Sequence, residues 1–298
     1  MITTNLILEP EAQKIADLTS KPPFLYELGP AGARKVLDDI QAAPIEKPEV
    51  AEEWITVRAE VGDVRVRIVK PVNAPALVPV VLYVHGGGWI LGNAGTHDRL
   101  VRELAVGTKA AVAFVEYDRS PEARHPVAIE QAYATARWIV AQGAEKGLDA
   151  NRLAVAGDSV GGNMTAVLAI LAKQRGDVRF VHQSLYYPVT DAEQNTATYR
   201  EFADGPFLTA KGMAWFWDAY LPDRARRGDG GVLCVGVGQD RRHGRHVVCG
   251  ATVGFWFELA GLVGWLRSDN EGGLGGAVIS PQAPTYGLTG LMDFKYVD

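Results

Sequence analysis

The sequence predicts an α/β fold: a mostly parallel central sheet with helices on both faces. Three observations carry this. Residues 78–84 and 110–117 are continuous apolar runs, 153–156 is a shorter one, and 181–187 is a less pure fourth. Strands that show no alternation are buried on both faces, as in a parallel sheet. Between the runs, residues 96–106, 128–142 and 160–175 carry helical patterns, which supply the crossovers that parallel strands need. Upstream, residues 55–59 and 64–68 do alternate, Ile55, Val57 and Ala59 with Thr56 and Arg58, then Val64, Val66 and Ile68 with Arg65 and Arg67. They suit an antiparallel edge hairpin feeding the sheet, with the aliphatic side chains facing the core and the arginines facing water.

The remaining elements follow in order. Residues 10–18 and 29–42 read as amphipathic helices separated by a loop at Pro22-Pro23. Residues 208–220 form a last helix rich in Trp and Phe. From about residue 224 the character changes. Residues 224–298 hold both cysteines and runs such as Gly-Asp-Gly-Gly and Glu-Gly-Gly-Leu-Gly-Gly, and no βαβ pattern fits them. No internal repeat is visible.

Composition narrows the function classes. With 298 residues, 47% of them hydrophobic, the chain has apolar material for one large α/β domain or at most two smaller ones. The formal net charge of -5 gives no electrostatic reason to expect nucleic acid or an anionic membrane as partner. Cys234 and Cys249 are too few for a disulfide framework, and their spacing matches no zinc pattern. No metal or cofactor is expected. The first residues show no basic n-region or sustained apolar stretch, and no window is apolar enough to span a bilayer. The cytoplasm is the expected compartment. The oligomeric state is not legible.

Two motifs carry chemistry. Gly157-Asp158-Ser159-Val160-Gly161-Gly162 contains Gly-x-Ser-x-Gly between an apolar strand and an apolar helix. That is the setting of a nucleophile elbow, where a serine sits on a strained turn and small neighbours let strand and helix close around it. Taken alone the motif is also compatible with a plain glycine-rich turn. The second motif, His85-Gly86-Gly87-Gly88-Trp89, directly follows the run 78–84. Consecutive glycines can aim N–H groups at a developing oxyanion, which acyl transfer requires. A phosphate cradle is disfavoured, because no Gly-Lys-Ser/Thr follows.

Together, in this order, the motifs resemble the hormone-sensitive-lipase-like group of α/β-hydrolases, the GDXG or bacterial family IV esterases. Glu116-Tyr117-Asp118-Arg119-Ser120-Pro121-Glu122 is similar to that group's Asp-Tyr-Arg-Leu-Ala-Pro-Glu segment, keeping Tyr, Pro and Glu and changing the middle. His125-Pro126 and the helix after it continue the match, which covers roughly residues 10 to 222. The resemblance implies an α/β-hydrolase fold and hydrolysis of short to medium acyl esters through an acyl-serine. Ser159 would be the nucleophile, and the N–H groups of Gly87, Gly88 and Val160 the oxyanion donors. His85 would orient the loop. Val160 stands where the group usually has Ala. Asp158 reads as a turn residue rather than the triad acid. Residues 1–50 and about 200–221 would form a small helical cap on a domain spanning 1–223. Trp215, Phe216 and Trp217 are candidates for pocket lining, with core packing as the alternative.

The pattern then fails. A serine needs a base and the base an orienting acid, in the order Ser, Asp or Glu, His. The group's Asp-x-x-Arg-Asp and His-Gly-Phe stretches are absent, and the last histidine is His246. Asp240 with His243 or His246 satisfies the order only nominally, so the triad acid and base stay unassigned. Residues 224–298 are read as an atypical tail, either disordered or out of frame with an ancestral gene. A divergent C-terminal segment is the alternative. A sheet missing its last strands would expose an edge, so poor solubility and weak activity are expected. The rival functional reading is an inactive member, either pocket-binding or truncated, lacking acid and base.

Overall fold

A computed structural model of the chain describes residues 10–205, 207–228 and 247–250. In chain order the elements are α1 (Pro10–Thr19), α2 (Gly29–Gln41), β1 (Val50–Val57), β2 (Val64–Pro71), β3 (Val78–Val84), α3 (Asp98–Thr108) and β4 (Ala111–Glu116). Then come α4 (Val127–Gln142), β5 (Leu148–Asp158), α5 (Val160–Arg175), β6 (His182–Tyr186), α6 (Ala197–Glu201), α7 (Ala210–Tyr220) and β7 (Val247–Gly250). No helix among the described residues is long and apolar enough to cross a membrane.

The strands form one sheet in the order β1-β2-β4-β3-β5-β6-β7. β1 and β2 are an antiparallel hairpin, and β2 meets β4 antiparallel. The other pairings, β4 to β3, β3 to β5, β5 to β6 and β6 to β7, are parallel. This is the α/β-hydrolase architecture with an antiparallel leading edge that the sequence predicts. Period 2 along each strand sends neighbours to opposite layers. Val80, Leu82 and Val84 of β3 join one core with residues of α2, α4, α5 and α7. Tyr83, between them, joins the other core with Val101, Leu104 and Ala105 of α3. Both faces of the central strands are buried, so these strands read as unbroken apolar runs.

Several details differ from the sequence reading, among them the start of β1 at Val50 rather than residue 55. Arg67 does not face water. β2 is covered by α3 on the face that Arg67 shares, and its side chain is 7% exposed. Its Nη2 donates to Asp98 Oδ1 (2.6 Å), and its guanidinium also binds Glu52, so the charge enters the core paired. Arg65, one residue earlier, does face outward, over the exposed Trp54 ring. β5 begins five residues before the apolar run, because its first half carries the polar Asp149, Asn151 and Arg152. α6, capped by Thr196, was not foreseen. Finally, Val247–Gly250 of the tail adds a parallel strand along residues 183–186, so this stretch of the β6 edge is paired. A four-residue run gives no periodicity from which to read it. The rest of the tail reading falls on residues 229–246 and 251–298, outside the described residues.

Candidate active site

The chain builds β4 on one side of β3, then crosses back through α4 to build β5 on the other. At such a switch point the loops leaving the carboxyl ends of β3 and β5 diverge and open a crevice. Val84 pairs with Gly157, so the glycine loop and the serine turn leave the sheet side by side.

Ser159 has φ 54° and ψ -118°, a backbone region costing a non-glycine residue about 1–3 kcal/mol. The turn is held from three directions. The Ser159 N–H donates to the Tyr186 carbonyl (2.9 Å), and its own carbonyl accepts from Asn163 (3.1 Å) and Val189 (3.2 Å). The Asn163 side chain donates to the Val189 carbonyl (2.8 Å). The glycines are needed for contact. A Cβ on Gly161 would stand 2.0 Å from the Val84 carbonyl oxygen, and one on Gly157 2.4 Å from that of Gly161. The serine turn is therefore pressed against the end of β3.

Asp158 joins the two loops. Its Oδ1 accepts from the Gly86 N–H (3.0 Å) and the Tyr83 hydroxyl (2.8 Å). Burial pushes the Asp158 carboxyl up, but interactions with His97 and Tyr83 more than reverse this, leaving it below its ordinary value. Beyond Gly86 the Gly87 carbonyl accepts from the N–H groups of Ile90 (3.2 Å) and Leu91 (2.8 Å). In a trans peptide the N–H points opposite to the C=O, so the Gly88 N–H faces out of the turn. Among the described residues no hydrogen bond uses the N–H groups of Gly87, Gly88 or Val160. Val160 opens α5, where helix geometry leaves the first N–H groups unpaired and the dipole favours negative charge.

The segment after β4 braces the loop from behind. Tyr117 donates its hydroxyl to the His85 carbonyl (2.9 Å), the Ser120 N–H to that of Trp89 (2.8 Å), and Arg119 Nη1 to that of Gly92 (2.7 Å). Arg34 of α2 adds a fourth bond, Nε to the Ile90 carbonyl (2.9 Å). Nothing in the spacing of the sequence singled out Arg34.

His85 lies beneath the loop, stacked on Tyr117 with ring centroids 4.1 Å apart. Burial, with His97 nearby, pushes its pKa down from 6.5 to about 3, so the ring is neutral. The other described histidines are also engaged away from Ser159. His97 has Nδ1 2.9 Å from Thr96 Oγ1 and Nε2 3.7 Å from Asp158 Oδ1. His125 packs edge-on against Tyr220 at 5.5 Å. His182 begins β6, at the amino end of the sheet, with Nε2 3.0 Å from Ser184 Oγ. Among the described residues no hydrogen bond reaches the Ser159 hydroxyl. Asp240, His243 and His246 lie outside the described residues.

Of the three aromatic lining candidates, only Phe216 sits on the loop. Its ring covers Gly88 so closely that a Cβ there would lie 2.1 Å from Phe216 Cδ1. Trp217 is fully buried against Trp89, centroids 4.7 Å apart, and belongs to the core. Tyr220 stacks on the other side of this cluster, 4.1 Å from Trp89. Trp215 is half-buried beside Phe216. A hollow of about 630 Å³ between the end of α2 and residues 93–96 includes neither Ser159 nor the glycines, and takes no part in this site.

A family model described as the α/β-hydrolase fold matches residues 81–249, more than half of the chain. The chain belongs to the α/β-hydrolase family. The chain is 38% identical over 213 residues to the esterase LipI of Mycobacterium tuberculosis, covering 70% of this chain and 65% of LipI. It is 40% identical over 191 residues to the carboxylesterase NlhH of the same organism, covering 64% of this chain and 60% of NlhH. It thus spans under two thirds of the length of these curated relatives. Among solved structures it is similar to a thermostable esterase from Pseudomonas putida, with a TM-score of 0.73, 41% identity, and coverage of 76% of this chain and 72% of that one. The resemblance to hormone-sensitive-lipase-like esterases drawn from the motifs is borne out.

Proposed function

We propose that this chain hydrolyses carboxylic esters of short to medium acyl chains through a covalent acyl-Ser159 intermediate. The observation that carries the reading is the turn at Ser159, held at φ 54° beside a glycine loop in which the N–H groups of Gly87 and Gly88 are unspent. Ser159 Oγ attacks the ester carbonyl carbon and gives its proton to a base. The carbonyl oxygen becomes an oxyanion, which the N–H groups of Gly87, Gly88 and Val160 receive. Collapse expels the alcohol with a proton, and water then repeats the sequence on the acyl-serine to release the acid. Each oxyanion donor contributes about 3–4 kcal/mol to such a step. His85 acts by supporting the loop, in keeping with its burial and neutral ring. The triad acid and base stay unassigned.

We read residues 1–223 as the hydrolase domain, with 1–50 and about 200–221 as its cap, and 224–298 as an atypical tail, arising either from a change of reading frame or as a divergent C-terminal segment. Sequencing the gene across codons 224–230 tests that. The cytoplasm is the compartment proposed, and a small-molecule ester the partner. Hydrolysis of p-nitrophenyl butyrate, with Ser159→Ala as control, tests the activity. The variant is expected to fall to background, by about 10⁴-fold or more. Turnover that survives the substitution removes Ser159 from the mechanism.

A further inference from the structure

We propose that Arg34 is a positioning residue for ester hydrolysis: it fixes the Gly88 N–H in its donating orientation by holding the turn that follows it. The inference rests on the esterase reading above and adds a residue outside both motifs.

Three hydrogen-bonded steps connect Arg34 to Gly88. The peptide unit that carries the Gly88 N–H has the Gly87 carbonyl at its other end. That carbonyl is held by Ile90 and Leu91, at 3.2 and 2.8 Å. The orientation of the unit is therefore set by where Ile90 and Leu91 stand. Ile90 is held in turn by its own carbonyl, which accepts from Arg34 Nε at 2.9 Å. Arg34 Nη2 donates to the Ser120 carbonyl at 2.9 Å, and the Ser120 N–H returns to the Trp89 carbonyl at 2.8 Å. One guanidinium thus grips the turn directly at Ile90 and, through residue 120, at Trp89.

The guanidinium is itself fixed. Glu122 takes Nη1 at 2.9 Å and Nη2 at 2.7 Å, a two-point fork that leaves little freedom of rotation. The Arg34 side chain is 19% exposed, so it is largely shielded from competing water. A lysine has no such fork and could reach only one of these acceptors at a time. Arg34 also comes from a different part of the chain, helix α2, more than fifty residues before the loop. Phe216 of α7 presses on Gly88 from the other side. The helices over the crevice therefore set the shape of the oxyanion loop as well as covering it. The partners of Arg34 are the Ile90 and Ser120 carbonyls and Glu122, not Ser159, so its effect falls on alignment.

The test compares wild type, Arg34→Met, Arg34→Lys and Glu122→Gln on p-nitrophenyl butyrate, normalised to active sites titrated with a serine-directed phosphonate. Lys35→Ala, which loses only an exposed pair with Asp39, is the control and is expected to match wild type. Losing a whole oxyanion donor costs about 10²–10³ in kcat, so tilting one is expected to cost roughly 10–100-fold per titrated site. The loss should fall on kcat, with KM within about threefold, because the interaction being spoiled strengthens only as the oxyanion forms. Arg34→Lys should recover part of the loss and Glu122→Gln should lose less than Arg34→Met. If Arg34→Met does not fold, Arg34→Lys and Glu122→Gln carry the test through the same kcat against KM split. A kcat per site equal to wild type in these variants overturns the positioning role alone. A loss expressed only as fewer titratable sites, or only in KM, overturns it as well. Wild type without turnover, or turnover that survives Ser159→Ala, overturns the esterase reading and this inference with it.

Discussion

Replacing Gly161 by Ala tests the junction on which the site depends. The added Cβ would stand 2.0 Å from the Val84 carbonyl oxygen and 2.8 Å from the His85 carbonyl carbon, both backbone atoms. Contacts under 3.0 Å are essentially never seen for real Cβ atoms, so the serine turn and the end of β3 must part by roughly 1 Å. Overpacking of that kind costs about 1–3 kcal/mol of stability. The functional cost is larger, because Ser159 is on one side of the parting and the glycine loop on the other. A misplacement of about 1 Å in a reacting constellation costs on the order of 100-fold. Urea unfolding and the rate of p-nitrophenyl butyrate hydrolysis read the two effects separately. Gly107→Ala is the matched control: no atom lies within 4 Å of its Cβ position, and it sits within α3. It is expected to raise stability by about 0.5 kcal/mol and leave the rate unchanged. A Gly161→Ala protein with wild-type stability and rate would refute the reasoning that the turn and β3 are in hard contact.

Two further predictions concern stability. His85 is held neutral by burial, with a pKa of about 3 against an ordinary 6.5. The unfolded chain therefore takes up the proton first, and the stability that His85 allows is complete above pH 6.5 and drains away as pH falls toward 3. Between pH 7.5 and 5, above the ordinary carboxylate range, the loss should be about 2 kcal/mol, read as a falling urea midpoint. A flat profile would contradict the burial of a neutral ring. Arg67→Met removes a buried cation from between Glu52 and Asp98. Asp98 keeps Lys47 and Arg102, so the expected loss is about 2–3 kcal/mol, below the range for a buried pair broken completely. A loss under about 0.5 kcal/mol would mean that Arg67 reaches water after all.

The sheet and the two site motifs were legible because each is written locally. Buried parallel strands are unbroken apolar runs, and β3 and α5 begin and end where the sequence places them. The serine turn and the glycine loop are short motifs whose residue types are dictated by backbone approach, which Gly157 and Gly161 make plain in space. What was not legible depends on a partner distant in sequence. Arg67 reads as an outward residue of an alternating strand, and only the arrival of α3 over that face, with Asp98 in its first turn, turns it inward. Arg34 looks like any charged residue on an amphipathic helix until its bonds to residues 90, 120 and 122 are seen. Trp217 and Phe216 are neighbours in one aromatic run and both are buried in the same core, yet only Phe216 also covers Gly88, a distinction set by the rotation of α7.

Whether Ser159 is the nucleophile is tested most directly by the site of reaction with a serine-directed phosphonate, mapped by mass spectrometry on the intact chain and its peptides. One adduct per chain is expected, on Ser159, abolished in Ser159→Ala, with loss of ester hydrolysis in proportion to labelling. An adduct on another serine, or hydrolysis that persists once Ser159 is fully modified, would contradict it.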